Sequence, residues 1–154
     1  MSTLVSKKGK APMSLLTGGL HHVSIRTTDL GRAKRFYTET IGFQQMLETE
    51  TTVLLDAHGT VLGLWGPAQE TSPEDRFDPF RVGLDHLALA VANAEVLNEL
   101  KQQLDAAGVR NNGVEDDTLT GARYIAFYDP DGIAWELYSM PASAAATNTT
   151  GGAA

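Results

Sequence analysis

The chain of 154 residues contains no cysteine. Disulfide bonds, thiolate nucleophiles and iron–sulfur ligation are therefore excluded. No apolar stretch approaches the roughly 18 residues that a membrane-spanning helix needs. Residues 1–20 have no sustained apolar core, so they do not predict a signal peptide. With both features missing, the default expectation is a cytoplasmic protein.

Basic residues are also scarce. The chain has 12 Lys and Arg against 19 Asp and Glu, which gives a formal net charge of -7 at pH 7, and the basic residues form no run. Nucleic-acid phosphates and anionic lipid surfaces do not attract such a chain. We therefore expect no nucleic-acid partner and no membrane, and a small-molecule substrate instead.

What the chain does contain is an internal repeat. The segment Leu20–Arg26, which precedes a predicted helix, reappears as Leu84–Ala90 before a second predicted helix. Each half also closes on a glycine turn that leads into an apolar strand, at Asp56–Gly59 and at Asp129–Gly132. Repetition of this kind constrains the fold more than any single motif does, and it predicts two similar units.

The order of elements in each half is strand, helix, strand, strand, strand. This order predicts an α+β fold in which two tandem βαβββ modules pair into a curved, cavity-forming mixed sheet. The first helix is expected to begin at Asp29 and to end at Gly42, and the second to run from about 94 to 107 and to stop at Gly108. The predicted strands lie near 20–27, 43–49, 51–56, 60–65, 84–91, 109–115, 121–129 and 132–139.

These elements also define the domain organisation. Residues 19–140 are expected to form a single domain, with module 1 at about 20–66, a linker at 67–83 and module 2 at about 84–140. Residues 1–18 and 141–154 are polar or low in complexity, which predicts flexible tails.

Strand alternation makes the repeat chemically informative, since residues of equal parity share a face. The faces opposite the apolar residues carry polar or small side chains: His22, Ser24 and Arg26 on the first strand, His86, Ala88 and Ala90 on its counterpart, and Ala134, Glu136 and Tyr138 on the last strand. Two imidazoles and one carboxylate can hold a divalent metal and leave positions open. The sequence therefore predicts a metal site at His22, His86 and Glu136, whose metal is Fe, Mn, Zn, Ni or Co.

A structural interpretation of the same residues stays open on parity alone. Histidines on strands are commonly hydrogen-bonded structural residues, and Glu136 can equally lie at a solvent-facing edge. Superposing the two halves places Gly63 on Glu136, so the fourth equivalent position has no side chain. The predicted metal site thus has three protein ligands and at least one coordination position without a protein ligand.

The segments Leu20–Phe43, Leu84–Val91 and Tyr124–Tyr138 resemble the vicinal oxygen chelate superfamily, which includes glyoxalase I, bleomycin resistance proteins, fosfomycin resistance proteins and extradiol dioxygenases. The resemblance implies paired βαβββ modules around a cavity, with metal ligands at His22, His86 and Glu136. It implies a metal that acts as a Lewis acid on a substrate with adjacent oxygens. It also implies that a homodimer commonly completes the cavity.

Departures from the family patterns narrow the expected function. Gly63 cannot supply the fourth ligand of glyoxalase I, and Ala126 stands where extradiol dioxygenases carry a catalytic tyrosine. Asp116 and Ala145 stand where fosfomycin resistance proteins carry a lysine and an arginine. A metal-dependent lyase, isomerase or dioxygenase of unassigned reaction is therefore the first expectation. A bleomycin-resistance-like drug-binding protein without catalysis is the alternative.

Further residues are expected to serve the same cavity. Glu136 and Tyr124 are the catalytic candidates, because each can exchange a proton with a substrate. The candidate substrate-binding residues are Ser24, Arg26, Trp65, Tyr128 and Tyr138. For Trp65, core packing is the favoured interpretation, and Arg26 can equally reach solvent.

Two neighbours of the predicted ligands are expected to lie away from the site. By alternation, Asp85 points away from His86, and His21 has the opposite parity to His22.

Overall fold

A computed structural model describes residues 19–141. Their order confirms the α+β class and the repeated βαβββ pattern: β1 His22–Arg26, α1 Leu30–Arg35 continued by a π-helical segment Phe36–Thr40, β2 Gln44–Glu48, β3 Thr52–Ala57, β4 Thr60–Trp65, β5 Leu87–Ala90, α2 Val96–Ala106, β6 Asn111–Asp116, β7 Arg123–Tyr128 and β8 Ala134–Ser139. The predicted tails, 1–18 and all of 141–154 except its first residue, lie outside the described residues. No helix within residues 19–141 is long and apolar enough to cross a membrane.

The predicted helix boundaries have clear local causes. The Asp29 carboxylate accepts a hydrogen bond from the backbone N–H of Arg32, which caps the first helix at its N-terminus. Gly42 and Gly108 follow the two helices with φ of +89° and +68°, in the left-handed region that glycine adopts without strain. These three predictions are confirmed.

The strands form two four-stranded mixed sheets. The first has the order β1-β4-β3-β2 and the second has the order β5-β8-β7-β6. In the first sheet Ser24 lies opposite Gly63, and in the second Ala88 lies opposite Glu136. This register confirms the predicted equivalence of Gly63 and Glu136. The predicted strand 84–91 is shorter than expected, since β5 begins only at Leu87.

The apolar faces of both sheets belong to one core. Buried residues from the first sheet include Ile25 and Leu64, and those from the second include Ile125, Phe127 and Trp135. Because alternate residues of a strand point to opposite faces, the polar face of each sheet lies on the side away from this shared core. Each polar face is therefore turned away from the shared core.

A buried carboxylate joins the two modules. Asp131, in the turn before β8, accepts hydrogen bonds from the backbone N–H and the hydroxyl of Thr28. It also pairs with the Arg32 guanidinium at 2.6 Å. The turn of one module is thereby attached to the first helix of the other.

Candidate metal and substrate site

His86 and Glu136 lie together on the polar face of the second sheet, as predicted. The Nε2 atom of His86 is 3.4 Å from Oε2 of Glu136. The Glu136 side chain is 16% exposed and that of His86 is 42% exposed. Burial raises the pKa of Glu136, and attraction to His86 opposes the rise. The pair thus offers one imidazole and one partly desolvated carboxyl at adjacent positions.

Asp85 is part of this arrangement, and its predicted orientation away from His86 is wrong. Its Oδ1 atom is 2.6 Å from Nδ1 of His86. Both residues precede β5, which begins at Leu87, so strand alternation does not govern their directions. Asp85 and His86 are neighbours in the sequence, which permits this contact, but strand alternation predicted that their side chains point in opposite directions.

His22 lies on the other sheet, as the first residue of β1. Its Nδ1 atom is 2.9 Å from Nδ1 of His21, and the two rings meet edge to face. The expected separation of His21 from His22 is therefore also wrong, because His21 precedes the strand.

One copy of the chain does not bring the three predicted ligands together. Within residues 19–141, no group of three or more His, Asp or Glu side chains is placed to hold a metal ion. His22 belongs to the first sheet, whereas Glu136 belongs to the second sheet and His86 directly precedes that sheet's first strand. The metal role of these residues stays a prediction.

Two tyrosines form an aromatic wall beside Glu136. Tyr124 and Tyr138 stack with their ring centres 6.1 Å apart. The Tyr124 hydroxyl donates to Glu115 at 2.7 Å, and this bond raises the pKa of Tyr124 to about 12. The Tyr138 hydroxyl donates to Asp117 at 2.6 Å. Tyr124 is therefore neutral at physiological pH, and its proton is held by a carboxylate.

An open cavity of about 340 Å³ lies on this polar face. It is lined by His86, Ala88, Asp117, Tyr124, Glu136 and Tyr138. Four of the six were predicted for the site. The roles of Asp117 and Glu115 were missed, although the pairing of Glu115 with Tyr124 across β6 and β7 follows from strand register.

Tyr128 lies apart from this cavity. The Arg110 guanidinium carbon is 3.8 Å from the centre of the Tyr128 ring, a cation–π geometry. Tyr128 and Arg110 line a different cavity of about 440 Å³, together with Phe77 and Phe80 of the linker. Tyr128 therefore does not join His86 and Glu136 within the described chain.

The other predicted substrate residues share the polar face of the first sheet. Arg26 donates to the backbone carbonyl of Gly66 at 2.8 Å. Trp65 is 42% exposed, so the favoured interpretation of core packing is wrong for this residue. A Cβ atom added at Gly63 would lie 2.7 Å from the Ser24 hydroxyl oxygen, which thus occupies part of the space that a side chain at 63 would need.

Known proteins are similar in sequence to this chain over most of its length. The uncharacterized protein YwkD of Bacillus subtilis is 32% identical over 137 residues, which cover 82% of this chain and 100% of that protein. YaeR of Escherichia coli is 30% identical over 127 residues, which cover 79% of this chain and 95% of that protein.

The fold is shared as well. A glyoxylase/bleomycin resistance protein/dioxygenase domain from Frankia sp. EAN1pec superposes with a TM-score of 0.69 and 28% identity, over 81% of this chain and 99% of that chain. Residues 19–137 match the sequence model of the Glyoxalase/Bleomycin resistance protein/Dioxygenase superfamily. The chain belongs to the Glyoxalase/Bleomycin resistance protein/Dioxygenase superfamily.

Proposed function

We propose that the protein is a divalent-metal-dependent enzyme acting on a small oxygenated substrate, and that two copies build each site. The observation that carries the proposal is the pair of His86 and Glu136, whose Nε2 and Oε2 atoms are 3.4 Å apart on one polar sheet face. Imidazole and carboxylate are ligands that Fe, Mn, Zn, Ni and Co accept. The donor atoms of this pair therefore fit such a metal.

The proposed third ligand is His22 of a second copy. His22 begins the strand equivalent to the one that His86 precedes, and it belongs to the other sheet of its own chain. A symmetric pair of copies can place the first sheet of each against the second sheet of its partner. This homodimer would contain two identical sites, each using residues from both copies.

The residues around the pair suggest how the site would treat its substrate. The bound metal would act as a Lewis acid on adjacent substrate oxygens. Glu136, whose pKa burial raises, is suited to exchange a proton with substrate at its carboxyl oxygens. The rings of Tyr124 and Tyr138 would contact one side of the substrate. The second copy would contribute the candidate substrate-binding residues of its first sheet, which are Ser24, Arg26 and Trp65. A lyase, an isomerase and a dioxygenase reaction all meet this description.

A second candidate function rests on the charge of the same cavity. Glu115 and Asp117 hold the hydroxyls of the two stacked tyrosines, so carboxylates and aromatic rings occur together. Such a surface suits a cationic aromatic ligand, which is the chemistry of a bleomycin-resistance-like drug-binding protein without catalysis.

Metal content distinguishes the two functions. Protein purified without chelator is analysed by elemental analysis beside the variants His86→Ala and Glu136→Ala. Near-stoichiometric metal that both variants lose supports the enzyme. Protein that remains metal-free after incubation with each of the five ions contradicts it and favours drug binding, which thermal-shift measurements with bleomycin then test directly.

A further inference from the structure

The residue before each predicted histidine ligand contacts the Nδ1 atom of that histidine. In the second module, Oδ1 of Asp85 is 2.6 Å from Nδ1 of His86. In the first module, Nδ1 of His21 is 2.9 Å from Nδ1 of His22. An ionised carboxylate can only accept a hydrogen bond, whereas a neutral imidazole nitrogen can donate or accept. Only in the second module does the neighbouring residue, Asp85, therefore determine which ring nitrogen of the histidine carries the proton.

We propose that Asp85 is a positioning residue that fixes the orientation and the tautomer of His86. Its carboxylate accepts the hydrogen bond from Nδ1–H, which leaves the lone pair of Nε2 free to bind a metal. A histidine ligand whose other nitrogen donates to a carboxylate is held in one ring orientation and becomes a stronger donor. The metal role rests on the proposed function, whereas the tautomer does not.

The two carboxylates around the ring are unequal partners. The distance from Nδ1 to Asp85 is 2.6 Å, and the distance from Nε2 to Glu136 is 3.4 Å. A hydrogen bond between nitrogen and oxygen is usually 2.7–3.2 Å long and weakens beyond that range. The ring proton accordingly belongs on Nδ1, and Nε2 and Glu136 present two lone pairs to the same point.

Asp85 serves no other visible purpose in the described chain. Its side chain is 74% exposed, and its one hydrogen bond within residues 19–141 is the bond to His86. Its replacement should therefore leave the fold intact. Asp116 is a matched control, because its side chain is 77% exposed and makes one ion pair, to Arg123 at 3.0 Å.

The first measurement uses metal-free, full-length protein. Nitrogen NMR of the His86 ring is recorded for the wild type, Asp85→Ala and Asp116→Ala at alkaline pH, where the ring signals no longer shift. The expected result is a wild-type ring protonated on Nδ1, a shift of population toward the Nε2-protonated form in Asp85→Ala, and no change in Asp116→Ala. An unchanged ring in Asp85→Ala overturns the proposal.

The second measurement is calorimetric titration of the same proteins with zinc. Loss of a carboxylate partner of a histidine ligand typically costs 10–100-fold in metal affinity, so Asp85→Ala should bind zinc about 10–100-fold more weakly than the wild type. Asp85→Asn should lie between them, because its amide oxygen still accepts a hydrogen bond but carries no charge.

The outcomes separate this inference from the proposed function. Equal zinc affinity in the wild type, Asp85→Ala and Asp116→Ala contradicts the role of Asp85 while zinc binding itself stands. A wild-type protein that binds no zinc overturns the proposed metal binding by His86 and Glu136. The NMR result then decides by itself whether Asp85 fixes the tautomer of the His86 ring.

Discussion

The Tyr37 hydroxyl donates a hydrogen bond of 2.9 Å to Oδ2 of Asp129, a residue 92 positions further along the chain. The same hydroxyl accepts a bond of 3.0 Å from the indole N–H of Trp135. Burial raises the pKa of both Tyr37 and Asp129. One buried hydroxyl thus connects the helix of the first module to a turn and a strand of the second.

Removal of this hydroxyl should destabilise the whole domain. In Tyr37→Phe, the indole of Trp135 loses its acceptor and Asp129 loses a donor, both in buried surroundings. We expect a decrease of about 1–3 kcal/mol in the free energy of unfolding, measured by urea denaturation. Tyr128→Phe is the control, because the Tyr128 hydroxyl makes no hydrogen bond within residues 19–141. Equal stability of the two variants would contradict the structural role of Tyr37.

Asp131 should be a second sensitive point of the same junction. Its carboxylate accepts from Thr28 and pairs with Arg32 while only 6% exposed. Asp131→Asn should cost about 1.5–3 kcal/mol, because hydrogen bonds to a buried charge are lost. Asp116→Asn breaks an exposed pair instead and should cost about 0–1 kcal/mol in the same urea experiment. A cost for Asp131→Asn no larger than that of the control would show that the junction does not depend on this carboxylate.

The Asp117 carboxylate should contribute to the acid sensitivity of the protein. Hydrogen bonds from Tyr138, from Thr120 and from the backbone lower its pKa from 3.8 to about 2. A lowered folded-state pKa gives a stability contribution that is full above 3.8 and is lost as the pH falls toward 2. The difference in urea midpoint between the wild type and Asp117→Asn should therefore be largest above about pH 4, shrink as the pH falls through about 2, and vanish below that pH. A difference for Asp117→Asn that is constant with pH would refute the assignment.

Gly63 marks a position where a ligand can be added. It is the register equivalent of Glu136, and its backbone does not require glycine, because its φ is not in the left-handed region. The Ser24 hydroxyl stands near the added side chain and can rotate away about one bond. We expect Gly63→Glu to bind zinc or nickel about tenfold or more tightly than the wild type, by supplying a fourth ligand. Gly63→Gln, of the same shape without the charge, should give little of this gain, and a similar gain in both variants would indicate a change in folding instead.

Strand alternation predicted correctly which sheet face several of the candidate residues share. His22, Ser24 and Arg26 lie on the face opposite Ile25, and Glu136 lies on the face opposite Trp135. This parity holds wherever a residue is inside a paired strand. It failed for Asp85 because β5 begins two residues later.

Two other features of the structure were not predicted, each for a different reason. Trp65 has the parity of Gly63, so alternation placed it on the polar face, and the general tendency of tryptophan to be buried gave the wrong weight to core packing. The contact of Tyr37 with Asp129 joins residues 92 apart, and no periodicity records such a pairing. That contact belongs to the packing of the two modules around one shared core.

The central claim, that each site takes residues from two copies, is tested by complementation between variants. His22→Ala and Glu136→Ala are produced together with different affinity tags, and the mixed dimer is isolated by two successive purifications. Each homodimer should bind no metal, while the mixed dimer should bind about half of the wild-type amount, because one of its two sites combines the intact His22 of one copy with the intact His86 and Glu136 of the other. A mixed dimer as empty of metal as the two homodimers, beside a wild type that binds it, would contradict the account.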